Sequence, residues 1–288
     1  MELRQLRYVL AVAETGNFTR AAERCYVVQS ALSHQIAALE RELGFALFAR
    51  TSRRVAITPA GTAFLDGARQ CLAAAERAVA DAAAAAGEVR GHLSIGMIPT
   101  VTALAVPALL RRFSDAHPQV RVGLRVAASN EIVAGIRAGE LDIGVLGLPP
   151  DERPRGVRWR ELGRDRHVAV LPPGHGLAGR RRIGLERLAD QRFADFPVGS
   201  AGRAQTDRAF AAAGLARTVA YEATAVELIL ELVREGQAVA LLPSEVVPAR
   251  AGVPVVDVTR GPARVQYLAW SAFDPSPAAL AFLDLAAR

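Results

Sequence analysis

Apolar residues in the first sixty positions recur every three or four residues in three short segments, which predicts three amphipathic helices. Gly16 and Asn17 interrupt the pattern after the first segment, and either Asn17 or Thr19 can cap the second helix. The apolar stripes consist of Leu3, Leu6, Leu10 and Ala13, then Ala21, Ala22 and Cys25, then, after a connection at residues 26–28, Leu32, Ile36, Leu39 and Leu43. Short helices joined by a tight turn are typical of a helix-turn-helix.

The polar face of the third predicted helix carries candidate DNA-binding side chains. It presents Gln29, Ser30, Ser33, His34 and Arg41. Gln can bond bidentately to an adenine edge, Ser to a base or phosphate, and His to guanine, whereas the alternative is an ordinary solvated helix face. Residues 48–57 then predict a small hairpin with three arginines, Arg50, Arg53 and Arg54, suited to phosphate contacts and to insertion of an arginine into the minor groove. The combination predicts a winged helix-turn-helix that binds DNA.

A long helix is predicted to follow the hairpin. Thr58 and Pro59 are a helix start, and the apolar stripe continues to about residue 86. Such a helix is about 40 Å long, too long to bury its stripe within one small domain. The same helix of a second chain is the simplest partner, so we expect a symmetric dimer.

From residue 92 onward, strand patterns alternate with helix patterns. The predicted strands lie at residues 92–97, 120–126, 141–146, 167–171, 238–243 and 265–270. Repeated β-α-β units predict parallel, doubly wound sheets that bind ligands at the carboxyl ends of their strands. The last strand and a helix beginning at Ser276-Pro277 are expected to return to the first of two subdomains, which implies a hinged cleft.

Hydroxyl-bearing and small residues stand where the predicted strands end and helices begin. The candidate ligand-binding positions are Thr100, Thr102, Ser129, Val198, Gly199, Ser200 and Thr224. Hydroxyls and free helix amides favour a polar or anionic ligand group. The alternative is that each residue only caps its own helix. Gly147 brings no positive charge, so a carboxylate ligand would depend on amides or on Arg203.

Composition limits the protein classes that remain. The 288 residues are 51% hydrophobic and 22% charged, which predicts about two folded domains and not a disordered chain. We find neither a run of about 18 apolar residues nor a secretory leader, and two cysteines cannot form a disulfide framework, so we expect a cytoplasmic protein. The net charge is +6, and residues 1–58 hold eight arginines and five glutamates, a charge of +3. A basic N-terminal region favours an anionic partner.

Three patterns that suggest cofactors or metals fail on context. Residues 174–179 fit G-x-G-x-x-G but run into Arg180–Arg182 without the helix that must receive a pyrophosphate. The chain lacks lysine, so a P-loop is excluded, and the five histidines and two cysteines lack metal-ligand spacing. Cys25 and Cys71 lie on predicted apolar faces, and the C-terminal half has no cysteine for redox sensing. We therefore predict no cofactor, no metal and no enzymatic activity.

Motifs across the first sixty residues resemble the amino-terminal signature of LysR-type transcriptional regulators. They are Leu6–Tyr8, Phe18–Glu23, Gln29–Ile36, Leu39-Glu40, Leu43-Gly44, Leu47–Arg50 and Thr58–Gly61. The resemblance implies that the third helix enters the major groove and the wing touches the flanking backbone. It assigns base or phosphate contacts to Gln29, Ser30, Ser33 and His34, and phosphate contacts to Arg50, Arg53 and Arg54; Thr19 is a further candidate. It also implies a dimerising linker helix and an effector domain, similar to periplasmic binding proteins, with contacts at the cleft positions above.

Two residues depart from the pattern of that family. Val28 stands where Ser or Thr usually caps the recognition helix, which leaves one amide without its partner. Ser30 stands where proline is common, and its hydroxyl could act as the cap of a helix that begins slightly later. The departures leave open whether Gln29 or Ser30 faces DNA.

The whole pattern predicts an α/β protein with three parts. Residues 1–58 form the winged helix-turn-helix, 59–87 the dimerising helix, and 92–288 an effector-binding domain with subdomain I at 92–162 and 265–288 and subdomain II at 163–264. The predicted function is sequence-specific regulation of transcription, controlled by a small molecule between the subdomains. Expected partners are promoter DNA, the effector and a second chain in a dimer or tetramer, with RNA polymerase a further candidate and no membrane. The rival hypotheses are a cytoplasmic solute-binding protein or small-molecule enzyme, and a nucleoid protein without sequence preference.

Overall fold

The computed structural model describes residues 1–50, 55–248, 250–273 and 275–287, with the Arg50 side chain left out. The chain divides into two compact units. Unit 1 comprises Met1–Gly91 with Ala138–Glu140, and unit 2 comprises His92–Arg137 with Leu141–Arg288. No described helix is long and apolar enough to cross a membrane.

Unit 1 begins with three helices that pack around one apolar core. These are α1 (Leu3–Thr15), α2 (Phe18–Arg24) and α3 (Gln29–Leu43). Gly16 ends α1 in the left-handed conformation (φ 61°), and the Asn17 side chain caps α2 by accepting from the amides of Thr19 and Arg20 at 2.8 and 3.1 Å. Asn17 is therefore the cap, and Thr19 is not. Fully buried core residues include Leu6, Val9, Val12, Ala21, Leu32, Ile36, Leu39 and Leu47.

A two-stranded hairpin and a long helix complete unit 1. Strand β1 (Phe48–Arg50) pairs antiparallel with β2 (Val55–Ile57), as predicted for the wing. Glu40 Oε1 accepts from the amides of Leu47 and Phe48 at 2.7 and 3.1 Å, which ties the hairpin to α3. Helix α4 (Pro59–Ala85) starts with Thr58 as its cap and proline in its first turn, so the predicted long helix is confirmed.

Unit 2 consists of ten strands and five α-helices among its described residues. The strands are β3 (Gly91–Met97), β4 (Val120–Val126), β5 (Ile143–Leu148), β6 (Arg158–Val170), β7 (Arg182–Gly184), β8 (Arg192–Asp195), β9 (Thr218–Glu222), β10 (Ala240–Pro243), β11 (Val255–Thr259) and β12 (Ala263–Trp270). The helices are α5 (Val106–Ala116), α6 (Ser129–Ala138), α7 (Ala201–Ala212), α8 (Val226–Arg234) and α9 (Pro277–Ala287). The α/β fold class predicted from the alternating pattern is confirmed.

The sheet of unit 2 is mixed, which refines the parallel arrangement expected from the sequence. Its order is β4-β3-β5-β12-β6-β11-β7, with β10 also paired to β6, and β8 pairs with β9. Strand β3 is parallel to β5, but β12 is antiparallel to both β5 and β6. The reason is the path of the chain: it enters β12 from β11, which pairs with the end of β6, and β12 then runs back along residues 158–166 of β6.

Strand β6 joins the two halves of unit 2. Its residues 158–166 pair with β12, whereas residues 167–170 pair with β10 and β11. The sequence pattern predicted a strand only from His167, because the preceding residues 158–166 are mostly charged or exposed. One strand of 13 residues thus belongs to both subdomains.

Candidate functional site

The polar face of α3 is exposed to solvent. Gln29, Ser30 and His34 are exposed and Ser33 is half-buried, while Leu32, Ile36 and Leu39 on the other face are fully buried. Thr19, at the start of α2, is also exposed. The predictions for Arg53 and Arg54, and for the Arg50 side chain, lie outside the described residues. DNA contact by these side chains stays a prediction.

The start of α3 differs from what Ser30 suggested. The helix begins at Gln29 with Val28 as its N-cap residue, and the cap makes no side-chain hydrogen bond. The alternative in which Ser30 caps a later helix is therefore wrong; Gln29 and Ser30 both occupy the first turn. Tyr26, with φ 55°, is 96% exposed and Val28 is 68% exposed. The sequence analysis did not predict that these two residues are exposed. Their position was a usable signal, because they lie in the connection between α2 and α3, where the apolar residues lack helical spacing.

Unit 2 contains a cavity of about 40 Å³ between its subdomains. One wall comes from the ends of β3 and β5 and the start of α6, and the other from the start of α7. The lining residues are Ile98, Pro99, Thr100, Ala128, Ser129, Gly147, Phe196, Ser200, Ala201, Gly202, Gln205 and Arg264. Three of the seven predicted ligand-binding residues, Thr100, Ser129 and Ser200, lie together here.

Arg264 brings a positive charge to the cavity that the sequence analysis missed. It lies opposite Asp165 in the pairing of β12 with β6, and its Nε and Nη2 donate to the two carboxylate oxygens at 2.7 Å each. Nη2 also donates to the Thr100 carbonyl at 2.7 Å, and Nη1 to the Thr100 hydroxyl. Both charged side chains are buried, so the pair neutralises itself in place. Nearly a hundred residues separate the partners, and only strand pairing could reveal them.

Two serines of the cavity have structural bonds of their own. The Ser129 hydroxyl donates to the carbonyl and accepts from the amide of Gly147, both at 3.1 Å, which ties α6 to β5. The Ser200 hydroxyl donates to the Pro197 carbonyl at 2.8 Å and accepts from the Arg203 amide at 3.2 Å, which makes it the N-cap of α7. Ser200 therefore caps its own helix, as the alternative interpretation of these residues expects, whereas the Ser129 hydroxyl does not.

The other predicted ligand-binding residues do not line the cavity. Thr102 bonds to Asp165 and Gln266, and Val198, Gly199 and Thr224 are exposed. These four were predicted from strand-end position alone, which does not fix how far a loop carries a residue outward.

The expectation that Arg203 serves a carboxylate ligand is not supported. Arg203 does not line the cavity, and it pairs with Asp207 and Glu222, at 2.9 Å each. Burial opposes its charge, but the hydrogen bonds that Arg203 donates to these carboxylates leave its pKa raised.

Helix α7 carries two contacts from the second subdomain to the first. Gln205 Nε2 donates to the Gly147 carbonyl at 3.3 Å. One turn later, Arg208 bonds to Asp151 at 3.1 Å and to Glu152 at 2.5 Å. The same helix therefore supplies one cavity wall and the ion pairs to Asp151 and Glu152.

A buried histidine lies on β6. Burial, followed by the nearby Arg264 charge, lowers the pKa of His167 to about 4. Its Nδ1 lies 3.3 Å from the Pro262 carbonyl. The residue is therefore a neutral part of the core at neutral pH.

The described residues show no group of three or more His, Cys, Asp or Glu that could hold a metal ion. Cys25 is half-buried, and burial raises the pKa of its thiol. Cys71, on α4, is exposed in the single chain.

Comparison with known proteins identifies both units. Residues 3–62 match the family described as bacterial regulatory helix-turn-helix protein, lysR family, and residues 86–288 match the LysR substrate binding domain. The chain is 35% identical over 289 residues to the HTH-type transcriptional regulator IlvR of Caulobacter vibrioides, covering 99% of this chain and 97% of that relative. It is 33% identical over 292 residues to the Hca operon transcriptional activator HcaR of Escherichia coli, with 99% and 97% covered.

Solved structures are similar over the whole length. Full-length CbnR complexed with its target DNA matches with a TM-score of 0.72 and 28% identity, covering 100% of this chain and 99% of that chain. A full-length OxyR variant from Pseudomonas aeruginosa matches with a TM-score of 0.73 and 27% identity, covering 99% and 94%. These relatives are regulators and not enzymes. The chain is a DNA-binding transcriptional regulator with an effector-binding domain, and it belongs to the LysR family.

Proposed function

We propose that this regulator binds a small-molecule effector in the cavity between the two subdomains of unit 2, and that occupancy alters its grip on promoter DNA. The observation that carries the proposal is the cavity itself: polar residues from both subdomains line it, and α7 bonds across it through Gln205. A ligand there touches both subdomains. It shifts their arrangement only if it binds the two arrangements with different affinity.

The predicted division of labour along the chain forms part of this proposal. Residues 1–58 bind DNA, 59–87 form the dimerising helix, and 92–288 bind the effector. The family match of residues 3–62, together with the exposed polar face of α3, supports DNA contact by Gln29, Ser30, Ser33 and His34. The exposed Val79 on α4 supports self-association through that helix. RNA polymerase, met at a promoter in the cytoplasm, is a further proposed partner.

Blocking the cavity tests the effector proposal. Ala201 lines it at the start of α7, whereas Ala204, three residues on, is exposed. We expect Ala201→Phe to keep promoter affinity but lose the change in footprint that an effector causes. Ala204→Phe is the matched control and keeps both. The measurement is footprinting on DNA flanking the regulator's own gene, with and without candidate metabolites; an unchanged response in Ala201→Phe contradicts the proposal.

Two variants separate base recognition from backbone contact. Gln29→Ala is expected to relax sequence preference, because an amide that reads a base edge is lost. Arg53→Ala is expected to weaken binding to all DNA sequences and to flatten the salt dependence, because one phosphate contact is lost. Anisotropy titrations on promoter and random fragments measure both. Equal losses of affinity on the two fragments for Gln29→Ala would refute the groove assignment.

A further inference from the structure

Most polar groups around the cavity already have partners within the protein. The Arg264 guanidinium is bonded to Asp165 and Thr100, and the hydroxyls of Ser129 and Ser200 each donate and accept one hydrogen bond. Buried polar groups are paired in this way because an unpaired one carries a large desolvation cost. Any group in the wall that is left over is therefore informative about what binds there.

Gln205 carries the group that is left over. The residue is 4% exposed and lines the cavity, and its Oε1 has no hydrogen-bond partner among the described residues. The orientation of the amide is set by the other end, since Nε2 donates to the Gly147 carbonyl at 3.3 Å; a flipped amide would bring two acceptors together. The cavity therefore offers a buried acceptor that lacks a donor.

The start of α7 provides the complementary groups, which are backbone amide donors. Ala201 and Gly202 are the first two residues of the helix and line the cavity, and first-turn amides have no intrahelical carbonyl to bond. Gln205 lies one turn further along the same face, and helical side chains lean toward the N-terminus. Gln205 and the first-turn amides therefore belong to the same wall of the cavity, about one helical turn apart. The ligand that satisfies both has an acceptor group and a donor group on neighbouring atoms.

Charge narrows the class further. Asp165 neutralises Arg264, and the chain has no lysine. What remains is the partial positive charge of the α7 N-terminus, about half an elementary charge. This favours a single negative charge and disfavours a dianion. A cavity of about 40 Å³ corresponds to a few water molecules, which favours a ligand of few heavy atoms.

We infer that the effector is a small monocarboxylate with a hydroxyl or ammonium group on the adjacent carbon. This inference rests on the proposed effector function of the same cavity. The carboxylate accepts from the amides of Ala201 and Gly202, and the neighbouring donor bonds to Gln205 Oε1. A 2-hydroxy acid and a 2-amino acid share this chemistry, and the experiment distinguishes them.

Calorimetric titration of the full chain with lactate, alanine, propionate and succinate tests the inference. Propionate lacks the donor and succinate carries a second charge. We expect lactate or alanine to bind about tenfold more tightly than propionate, because the donor pairs a buried acceptor, and succinate to bind most weakly. Whether lactate or alanine binds more tightly distinguishes a 2-hydroxy acid from a 2-amino acid as the effector. Equal binding of lactate, alanine and propionate, a preference for succinate, or no binding of any probe overturns the inference.

A variant pair assigns the preference to Gln205. Gln205→Met keeps the volume and removes the acceptor, so the preference over propionate should fall to less than about twofold. Gln119→Met changes an exposed glutamine and keeps the preference. A preference retained in Gln205→Met overturns the inference, and the wild-type comparison decides it even if that variant does not fold.

Footprinting with the same probes separates this inference from the proposed function. If lactate or alanine binds with the expected preference but leaves the footprint unchanged, the proposed function fails and the ligand chemistry stands. If a different molecule changes the footprint of the wild type but not of Ala201→Phe, and has no donor beside its acceptor, the proposed function stands and the ligand chemistry fails.

Discussion

The exposed polar face of α3 and the cavity of unit 2 differ in how their polar groups are satisfied. On α3, Gln29, Ser30 and His34 are exposed, and the helix start makes no side-chain capping bond. In the cavity, Arg264, Ser129 and Ser200 are held by protein partners. Water satisfies an exposed amide at little cost, but a buried one must find a partner. A polar group without a protein partner is therefore ordinary on α3. In the cavity, where Gln205 Oε1 has no partner among the described residues, such a group points to a ligand.

The largest expected effect comes from breaking the buried pair in the cavity wall. Arg264→Met leaves Asp165 as a buried charge without its cation and should lower the free energy of unfolding by about 3–5 kcal/mol. Adding Asp165→Leu should restore most of the loss. Urea unfolding followed by tryptophan fluorescence reports unit 2 specifically, because Trp159 and Trp270, the chain's two tryptophans, both belong to it. A loss below about 1 kcal/mol in Arg264→Met would show that the cavity tolerates an unpaired buried charge, just as α3 tolerates polar groups without protein partners.

Acid should destabilise unit 2 through His167. Its pKa is about 4 in the folded protein and about 6.5 when unfolded, so between these values only the unfolded chain binds the proton. The contribution to stability is full above pH 6.5 and falls by about 3 kcal/mol as the pH drops to 4. Urea unfolding at a series of pH values should show a flatter slope for His167→Gln. An identical slope in His167→Gln and in the unsubstituted protein speaks against burial of His167 as the cause.

Gly61 and Gly67, both in the first third of α4, give opposite predictions for unit 1. A Cβ on Gly61 would clash with the Leu47 carbonyl oxygen and lie 2.7 Å from Ile57 Cγ1, so Gly61→Ala should cost about 1–3 kcal/mol. A Cβ on Gly67 meets nothing within 4 Å, and Gly67→Ala should stabilise the helix by about 1 kcal/mol. Thermal unfolding by circular dichroism, with promoter binding as a second readout, measures both. No loss in Gly61→Ala would mean that the hairpin does not approach α4 this closely. A loss in Gly67→Ala would mean that Gly67 has a neighbour outside the single chain.

The smallest expected effect on stability is that of the α7 ion pairs. Arg208, Asp151 and Glu152 are each about half-exposed or more, so Arg208→Ala should change the free energy of unfolding by less than about 1 kcal/mol, with the difference vanishing in high salt. Arg111→Ala, an exposed arginine on α5, is the control. Paired urea curves at low and high salt measure the change. A larger loss of stability that does not depend on salt would show that this contact behaves like the buried pair of Arg264 and Asp165 and not like an exposed ion pair.

Short-range patterns predicted unit 1 well. The helix stripes, the pairing of residues 48–50 with 55–57 and the start of α4 at Pro59 each depend on residues a few positions apart, and they are as expected. Of the two candidate caps of α2, Asn17 is the one that the structure uses. Local bonding decides such features, because helix periodicity and capping act within a turn or two. The start of α3 was the exception. Ser30 offered a cap, but the helix already begins at Gln29, with Val28 as its N-cap residue.

Long-range pairing explains what the sequence could not predict in unit 2. Thr100, Ser129 and Ser200 line the cavity because strand ends meet at one edge of a sheet, but Thr224 and Val198 follow the same rule and lie exposed. Ligand binding by any of them stays a prediction. Nothing near Arg264 in the sequence marks it as a cavity residue. Its role follows from the register of β12 on β6.

The amino-acid sequence by itself determined the helix-turn-helix with its wing, the long helix, the α/β class of unit 2 and the family, since all of these are written in local periodicity and contiguous motifs. The tertiary structure decided which polar groups meet in the cavity, that Arg264 is neutralised by Asp165, and that Gln205 Oε1 is left without a partner among the described residues. The physical reason is that a hydrogen bond across a sheet or between subdomains depends on strand register and helix placement, which no short stretch of residues encodes.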